Sequence, residues 1–364
     1  MFDVTAVFGS MPRNAEIGGT MEFEKKRKII NYLVALFIFG IGAAVIILIV
    51  GDFHSEMPVD EYFEEVRRLP EDDKPKYKQQ FFDEIDNPKM PRILKPNHTQ
   101  LFDGEWVRLP ETEVRINSHG FRGGEHPVQK PSDTVRILGL GDSFTFGWGL
   151  NLEHTFLHVL EEKLNLNYGG AIEVLNFGLP GGSTTSEVEL FKTKAARFAP
   201  DLILLTFTNN DDDDIEVETR IRRKLREEGT DYIVPEDGMG RVEAGAYMMQ
   251  RYMETVEFDE NWKKTVEDPL RELIQYASEH GIDLVVYSLS LEARKNDRLR
   301  NLGGSSSRCF FLKSALNLVE NRHYHLHALD DHPNAEANRL MAEELFAFFG
   351  ENDLMERNAK GVSS

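Results

Sequence analysis

Residues Thr134–Gly147 read TVRILGLGDSFTFG. Val135–Leu140 is a short β-branched and aliphatic run, and a Gly-Asp-Ser turn follows it at once. A serine at a strand-to-helix turn among glycines can expose its hydroxyl at the carboxyl edge of a sheet, with its backbone N–H facing the same space. The same letters also fit an ordinary turn in which Ser143 caps the next helix. No Gly-Lys-Ser/Thr follows, so the stretch is not a phosphate-binding P-loop.

Further along the chain the texture repeats. Apolar runs recur at Ile172–Phe177, Leu202–Thr208 and Ile282–Leu289, and helical stretches fit Glu153–Leu164, Glu187–Phe198, Trp262–His280 and Ala335–Phe349. Short apolar runs alternating with amphipathic helices indicate βαβ units and a parallel sheet covered on both faces, hence an α/β fold. In such sheets ligands bind beyond the carboxyl ends of the strands.

The other strand ends carry chemistry too. The second run closes with Asn176-Phe177-Gly178-Leu179-Pro180-Gly181 and the third with Thr208-Asn209-Asn210-Asp211, while Asp330-Asp331-His332-Pro333-Asn334 opens the last helix. A serine, a histidine to take its proton, a carboxylate to orient the histidine and N–H donors for an oxyanion make up the inventory of acyl transfer.

With these four blocks in this order, the sequence from about Arg136 to the C-terminal helix resembles the SGNH (GDSL) hydrolase family. The resemblance implies a flavodoxin-like three-layer α/β/α sandwich with a parallel sheet and serine esterase or acyltransferase chemistry. It implies Ser143 as nucleophile, Ser143, Gly178 and Asn210 as oxyanion-hole donors, and His332 as base. Two positions depart from the family's pattern: Thr208 stands where the third block has glycine, and Leu329 stands where the last block has its aspartate. Asp330 is therefore taken as the orienting carboxylate, with Asp331 as the alternative. Asn117–Gly123, NSHGFRG, looks like a lead-in of exported bacterial members and receives no catalytic role.

Towards the N-terminus, Ile29–Val50 is an uncharged run, IINYLVALFIFGIGAAVIILIV. As a helix it would be ~33 Å long, enough for a hydrocarbon core of ~30 Å. Lys25-Lys26-Arg27-Lys28 precedes it, whereas Gly51–Val66 has six acidic residues and no Lys or Arg. This bias predicts a cytoplasmic tail over 1–28, a transmembrane anchor over 29–50, and all that follows on the extracytoplasmic side. A cleaved signal peptide would have a shorter apolar region and a small-residue cleavage site, which Gly51-Asp52-Phe53-His54 does not offer. Residues 51–133 form a Pro-rich extension whose Phe81, Phe82, Leu101, Phe102, Trp106 and Phe121 are too many large apolar groups for a free linker. It is expected to pack on the main domain, 134–352, with 353–364 as a C-terminal tail.

Over 364 residues the formal net charge is −20, which argues against nucleic acid as a partner. The single cysteine, Cys309, excludes an internal disulfide framework and reads as a buried or neutral bystander. His323, His325 and His327 alternate as metal ligands on a strand would, but no carboxylate or cysteine supports them at suitable spacing, so hydrogen-bonded or exposed histidines are expected. Asp211–Asp214 lack calcium-loop spacing and read as a solvated loop, Asp211 alone being placed to fix the oxyanion loop. Residues 215–260 interrupt the alternation and carry Tyr247, Met248, Met249, Tyr252 and Met253, which suit either a structural insertion or a lid.

The sequence thus predicts a membrane-anchored esterase with an acylated small-molecule, lipid or glycan substrate and no metal or organic cofactor. The alternatives are an O-acyltransferase of cell-envelope or exopolysaccharide glycans and a non-catalytic binding or assembly protein of the same fold.

Overall fold

The computed structural model describes residues 68–213 and 258–362, apart from 78, 106, 170, 319 and 320, together with Glu65. All fall within one compact unit, Met57–Ser364. The expected cytoplasmic tail, the anchor over 29–50 and nearly all of the 215–260 insertion lie outside the described residues. Among those described, no helix is long and apolar enough to cross a membrane.

The extension contributes two antiparallel hairpins. β1 (Phe82–Glu84) pairs with β2 (Arg92–Leu94), and β3 (His98–Phe102) pairs with β4 (Thr112–Ile116). A five-stranded sheet follows, made of β5 (Thr134–Gly141), β6 (Ala171–Gly178), β7 (Leu202–Phe207), β8 (Asp283–Ser288) and β9 (Cys309–Lys313). Its strands run parallel in the order β6-β5-β7-β8-β9, the doubly wound flavodoxin-like arrangement. β9 is absent from the sequence-based expectation, which has four strands. A final hairpin pairs β10 (His325–His327) with β11 (Asp330–Pro333).

The helices are α1 (Ser143–Phe146), α2 (Phe156–Tyr168), α3 (Thr184–Leu190), α4 (Phe258–Trp262), α5 (Asp268–His280), α6 (Ala293–Gly303), α7 (Ala335–Glu351) and α8 (Leu354–Val362). Every residue of β5, β7 and β8 is buried, as expected of parallel strands with both faces covered. Strand alternation divides the apolar side chains between two cores. Leu138, Leu140, Ile203, Leu205, Leu284 and Val286 pack with α3, α5, α6 and the extension. Val135, Ile137, Leu202, Leu204, Val285 and Tyr287 face α2, α7 and α8 on the other side.

Phe81, Phe102, Val114, Ile116 and Phe121 of the extension are buried in the first core beside Leu138 and Phe177. Single bridges from Ile116 to Arg122 and from Arg122 to Asn176 join β4 to the outer edge of β6. The C-terminal residues differ from a free tail: Leu354 and Met355 of α8 are buried in the second core, and Asn358 Nδ2 donates to Asp283 Oδ2 (3.2 Å).

Candidate active site

At the end of β5 the chain must turn sharply from strand into α1. Gly141 has φ +150°, and a Cβ there would come within 2.1 Å of Thr145 Oγ1, so glycine is required by conformation and by space. Asp142, not Ser143, caps the helix: its Oδ1 accepts the Phe144 N–H (2.9 Å). Ser143 is thereby the first helical residue, with its N–H making no hydrogen bond among the described residues. It stands at the carboxyl end of β5, beside the β5/β7 boundary where the strand order reverses.

The structure brings Ser143, His332 and Asp330 into one hydrogen-bonded chain. His332 Nε2 lies 2.8 Å from Ser143 Oγ, and His332 Nδ1 lies 2.7 Å from Asp330 Oδ1. Asp330 Oδ1 also accepts the His332 backbone N–H (3.1 Å). Asp331 points out to solvent. The imidazole is flanked by two aromatic rings, Trp148 stacked at 5.4 Å and Phe144 tilted at 5.3 Å between centroids. Burial works to lower the His332 pKa, but the negative charges of Asp330, Asp331 and Asp142 outweigh it and raise it from 6.5 to about 9. Ligand-type atoms of Asp330, Asp331 and His332 lie within 4.8 Å of one another, yet both ring nitrogens of His332 are already engaged by Asp330 and Ser143.

Gly178 differs from the oxyanion role implied for it. Its N–H donates to Asn176 Oδ1 (2.9 Å), so it is not free for a substrate oxygen. A Cβ there would fall 2.2 Å from Phe146 N, so glycine here lets α1 lie directly on β6. Three residues on, Gly181 adopts φ +65°, and its N–H makes no hydrogen bond among the described residues.

Asn210 sits on the loop after β7, half-buried, with its Oδ1 2.7 Å from Thr208 Oγ1. The same hydroxyl lies 3.0 Å from Asp142 Oδ2, so Thr208 links the Asn210 amide to the residue that caps the Ser143 helix. The loop is not the solvated stretch expected for Asp211–Asp214, because Asp211 and Asp212 are both buried. Asp211 Oδ2 accepts the Thr208 N–H (2.5 Å) and its carbonyl accepts the Thr184 N–H (3.0 Å). Asp212 pairs with the buried Lys295 (3.1 Å), which also donates to Asn209 O (3.2 Å).

Behind this loop lies a set of three fully buried carboxyls, Asp142, Glu187 and Asp211. Burial raises all three pKa values, and those of Glu187 and Asp211 are raised further by neighbouring negative charge. As two carboxylates, Glu187 and Asp211 would leave Glu187 Oε1, Glu187 Oε2 and Asp211 Oδ1 without partners. A proton shared between them supplies the missing bond and removes the repulsion.

Of the other singled-out residues, His323 Nε2 meets Glu336 Oε2 (2.9 Å), and His325 Nε2 is bonded to the Leu318 carbonyl. Cys309 is half-buried on β9 with its thiol pushed up to about 12 by burial, so it is neutral at physiological pH. Several residues that support the site were not picked out from sequence: Trp148, Glu187, Lys295, Arg92 and Arg122. Only for Arg122 was there a signal, its place in NSHGFRG.

No family model and no curated protein matches the chain. Solved structures similar to it include a protein assigned to the G-D-S-L lipolytic family from Desulfitobacterium hafniense DCB-2, 18% identical over 58% of this chain and 98% of that one, with a TM-score of 0.35. Esterase EstA from Pseudoalteromonas sp. is 14% identical over 59% of this chain and 97% of that one, TM-score 0.39. LAE5, an α/β hydrolase enzyme from the metagenome of Lake Arreo, Spain, is 14% identical over 59% and 95%, TM-score 0.40.

Proposed function

We propose that the protein is a serine esterase of the SGNH type that deacylates glycans or lipids outside the cytoplasm. The observation that carries this reading is the chain Ser143 Oγ–His332 Nε2 (2.8 Å) and His332 Nδ1–Asp330 Oδ1 (2.7 Å) at the carboxyl edge of the sheet. Neutral His332 takes the Ser143 proton at Nε2 as Oγ attacks the ester carbonyl, while its Nδ1–H stays bonded to Asp330. The Ser143 N–H, the Gly181 N–H and the Asn210 amide are the donors for the oxyanion. The proton then passes from Nε2 to the leaving alkoxide, and the acyl group remains on Ser143. A water molecule, deprotonated by His332, attacks this ester, and as the acid is released the departing Ser143 Oγ takes the proton back from His332 Nε2.

The place of action follows from the sequence of Ile29–Val50 and its flanking charges, which support an anchor with the catalytic domain on the extracytoplasmic side. The deciding experiment is p-nitrophenyl acetate turnover by the full chain beside Ser143→Ala. Release that disappears in the variant supports the reading. Equal rates in both proteins, repeated with longer acyl esters, would overturn it. Transfer of the acyl group to an added glycan in place of water would recast the same acyl-enzyme as an acyltransferase.

A further inference from the structure

The guanidinium of Arg122 is buried, and it makes no ion pair among the described residues. It donates instead to three backbone carbonyls just after the nucleophile. Nη1 reaches Phe146 O (2.7 Å) and Gly147 O (2.6 Å), and Nη2 reaches Leu150 O. Its plane also lies over the Phe146 ring, 4.7 Å from the centroid. A four-residue helix leaves its last carbonyls without intrahelical donors, and a cation is favoured there. Gly147 O also accepts the Leu150 N–H (3.2 Å) and Phe146 O the Asn176 Nδ2–H (3.3 Å). Asn176, bonded through its carbonyl to the Arg122 N–H (3.2 Å), turns its Nδ2 to Thr145 O (2.9 Å) and completes the set. Gly147 is required by its φ of +83° and by Thr155, whose Cγ2 would stand 2.3 Å from a Cβ there.

A second arginine of the extension does the same on the neighbouring loop. Arg92 Nη2 donates to Pro180 O (3.0 Å). In a trans peptide the carbonyl and the following N–H point in opposite directions, so holding Pro180 O fixes where the Gly181 N–H is aimed. A third contact reaches the base. Phe102 meets Trp148 edge-on at 4.6 Å, Phe81 meets it at 6.3 Å, and Trp148 stacks on His332.

We infer that the extension between Phe81 and Arg122 is a positioning element of the active site, Arg122 holding the nucleophile turn and Arg92 the Gly181 loop. The inference rests on the serine-esterase reading for its catalytic consequence. Arg122 touches neither Ser143 nor any reacting atom; it acts by fixing the segment that carries them.

The test is made on the full chain with Arg122→Lys and Arg92→Lys, which keep a charge but cannot present the guanidinium fork. For Arg122→Lys, kcat on p-nitrophenyl acetate falls roughly 10–100-fold with KM changed by less than about twofold, because the serine is displaced without altering ester binding. Arg92→Lys shows a smaller loss of the same kind. Hydrogen exchange of the amides of 143–150 rises in Arg122→Lys while β7 and β8 keep their protection. Unchanged kcat, or a loss accompanied by exchange rising across the whole sheet, would overturn the inference. Should the wild type itself show no Ser143-dependent turnover, the esterase reading fails separately. The exchange of 143–150 then decides alone: unchanged protection there refutes the clamp.

Discussion

Asp330 Oδ1 and His332 Nδ1 are 2.7 Å apart although one residue separates them in the chain. Both stand on β11, where residues two apart share a face, so the strand aims acid and base together and turns Asp331 the other way. The pleat of a strand thus achieves what a helical turn would need a three-residue spacing to do. Replacing Asp330 by Asn removes the charge that orients and stabilises the imidazolium, and kcat is expected to fall by roughly 10²–10⁴. Asp331→Asn keeps most of the activity. Steady-state kinetics of the two variants side by side checks the assignment.

Activity is expected to depend on pH through His332. Only its neutral form accepts the serine proton, and its pKa is about 9, so kcat/KM rises from neutral pH and levels off above about pH 9. Asp331 contributes to this upward shift by its charge alone, so Asp331→Asn moves the rise to lower pH. The same shift carries a stability consequence of fixed sign. A histidine with a folded pKa above 6.5 stabilises the fold fully below 6.5 and loses that contribution as the pH climbs through about 9. Thermal melts between these two pH values should therefore decline, and Asp330→Asn should flatten the decline.

The Glu187–Asp211 pair predicts a second pH effect. Both acids have folded pKa values raised above their ordinary ones, so they cost the fold nothing below the ordinary carboxylate range. They oppose it increasingly as pH rises above that range, where the unfolded chain ionises while the folded pair still holds its proton. Glu187→Gln removes one of the two negative charges while keeping a donor for Asp211. Its Tm should therefore fall less between acidic and alkaline pH than that of the wild type, as followed by circular dichroism.

Gly178 and Asn210 should separate in their effects, although the family resemblance groups them. Gly178→Ala places a Cβ 2.2 Å from Phe146 N and 2.5 Å from Phe146 Cα, both backbone atoms that cannot rotate away. It should cost on the order of 1–3 kcal/mol in urea unfolding. Asn210→Ala removes the proposed oxyanion donor at the cost of only the Thr208 Oγ1–Asn210 Oδ1 bond on a half-buried side chain. Its kcat should drop roughly 10²–10³-fold with the urea midpoint changed less than in Gly178→Ala.

The parallel sheet was legible because β5, β7 and β8 are short segments dominated by Val, Ile and Leu, and the candidate site at its carboxyl edge because Gly-Asp-Ser and Asn-Asn-Asp follow β5 and β7. β9 was not, since Cys309–Lys313 is five residues long, lies at the sheet edge and is only half-buried, and α6 before it offers few apolar positions. Ser143 and His332 could be located by motif, but Asp330 could be separated from Asp331 only once β11 was known to be a strand. Gly178 was misread because a glycine required for close packing and one required for a free N–H look the same in sequence. The burial of Asp211 and Asp212 in their loop and of Glu187 on α3 was illegible for a related reason: acidic residues read as solvated until their partners, Lys295 and one another, are brought in from distant segments.

The composition change at residue 134 invites a cut there, as if the α/β sandwich could be lifted out and moved to another protein. Arg122 makes that boundary false. A chain starting at 134 would take the guanidinium away from the carbonyls of Phe146, Gly147 and Leu150 and would strip the side chains of Phe81, Phe102 and Phe121 from the first core. For grafting, truncation or recombination between homologues, the transferable module begins before β1, and the serine travels with the hairpins that precede it.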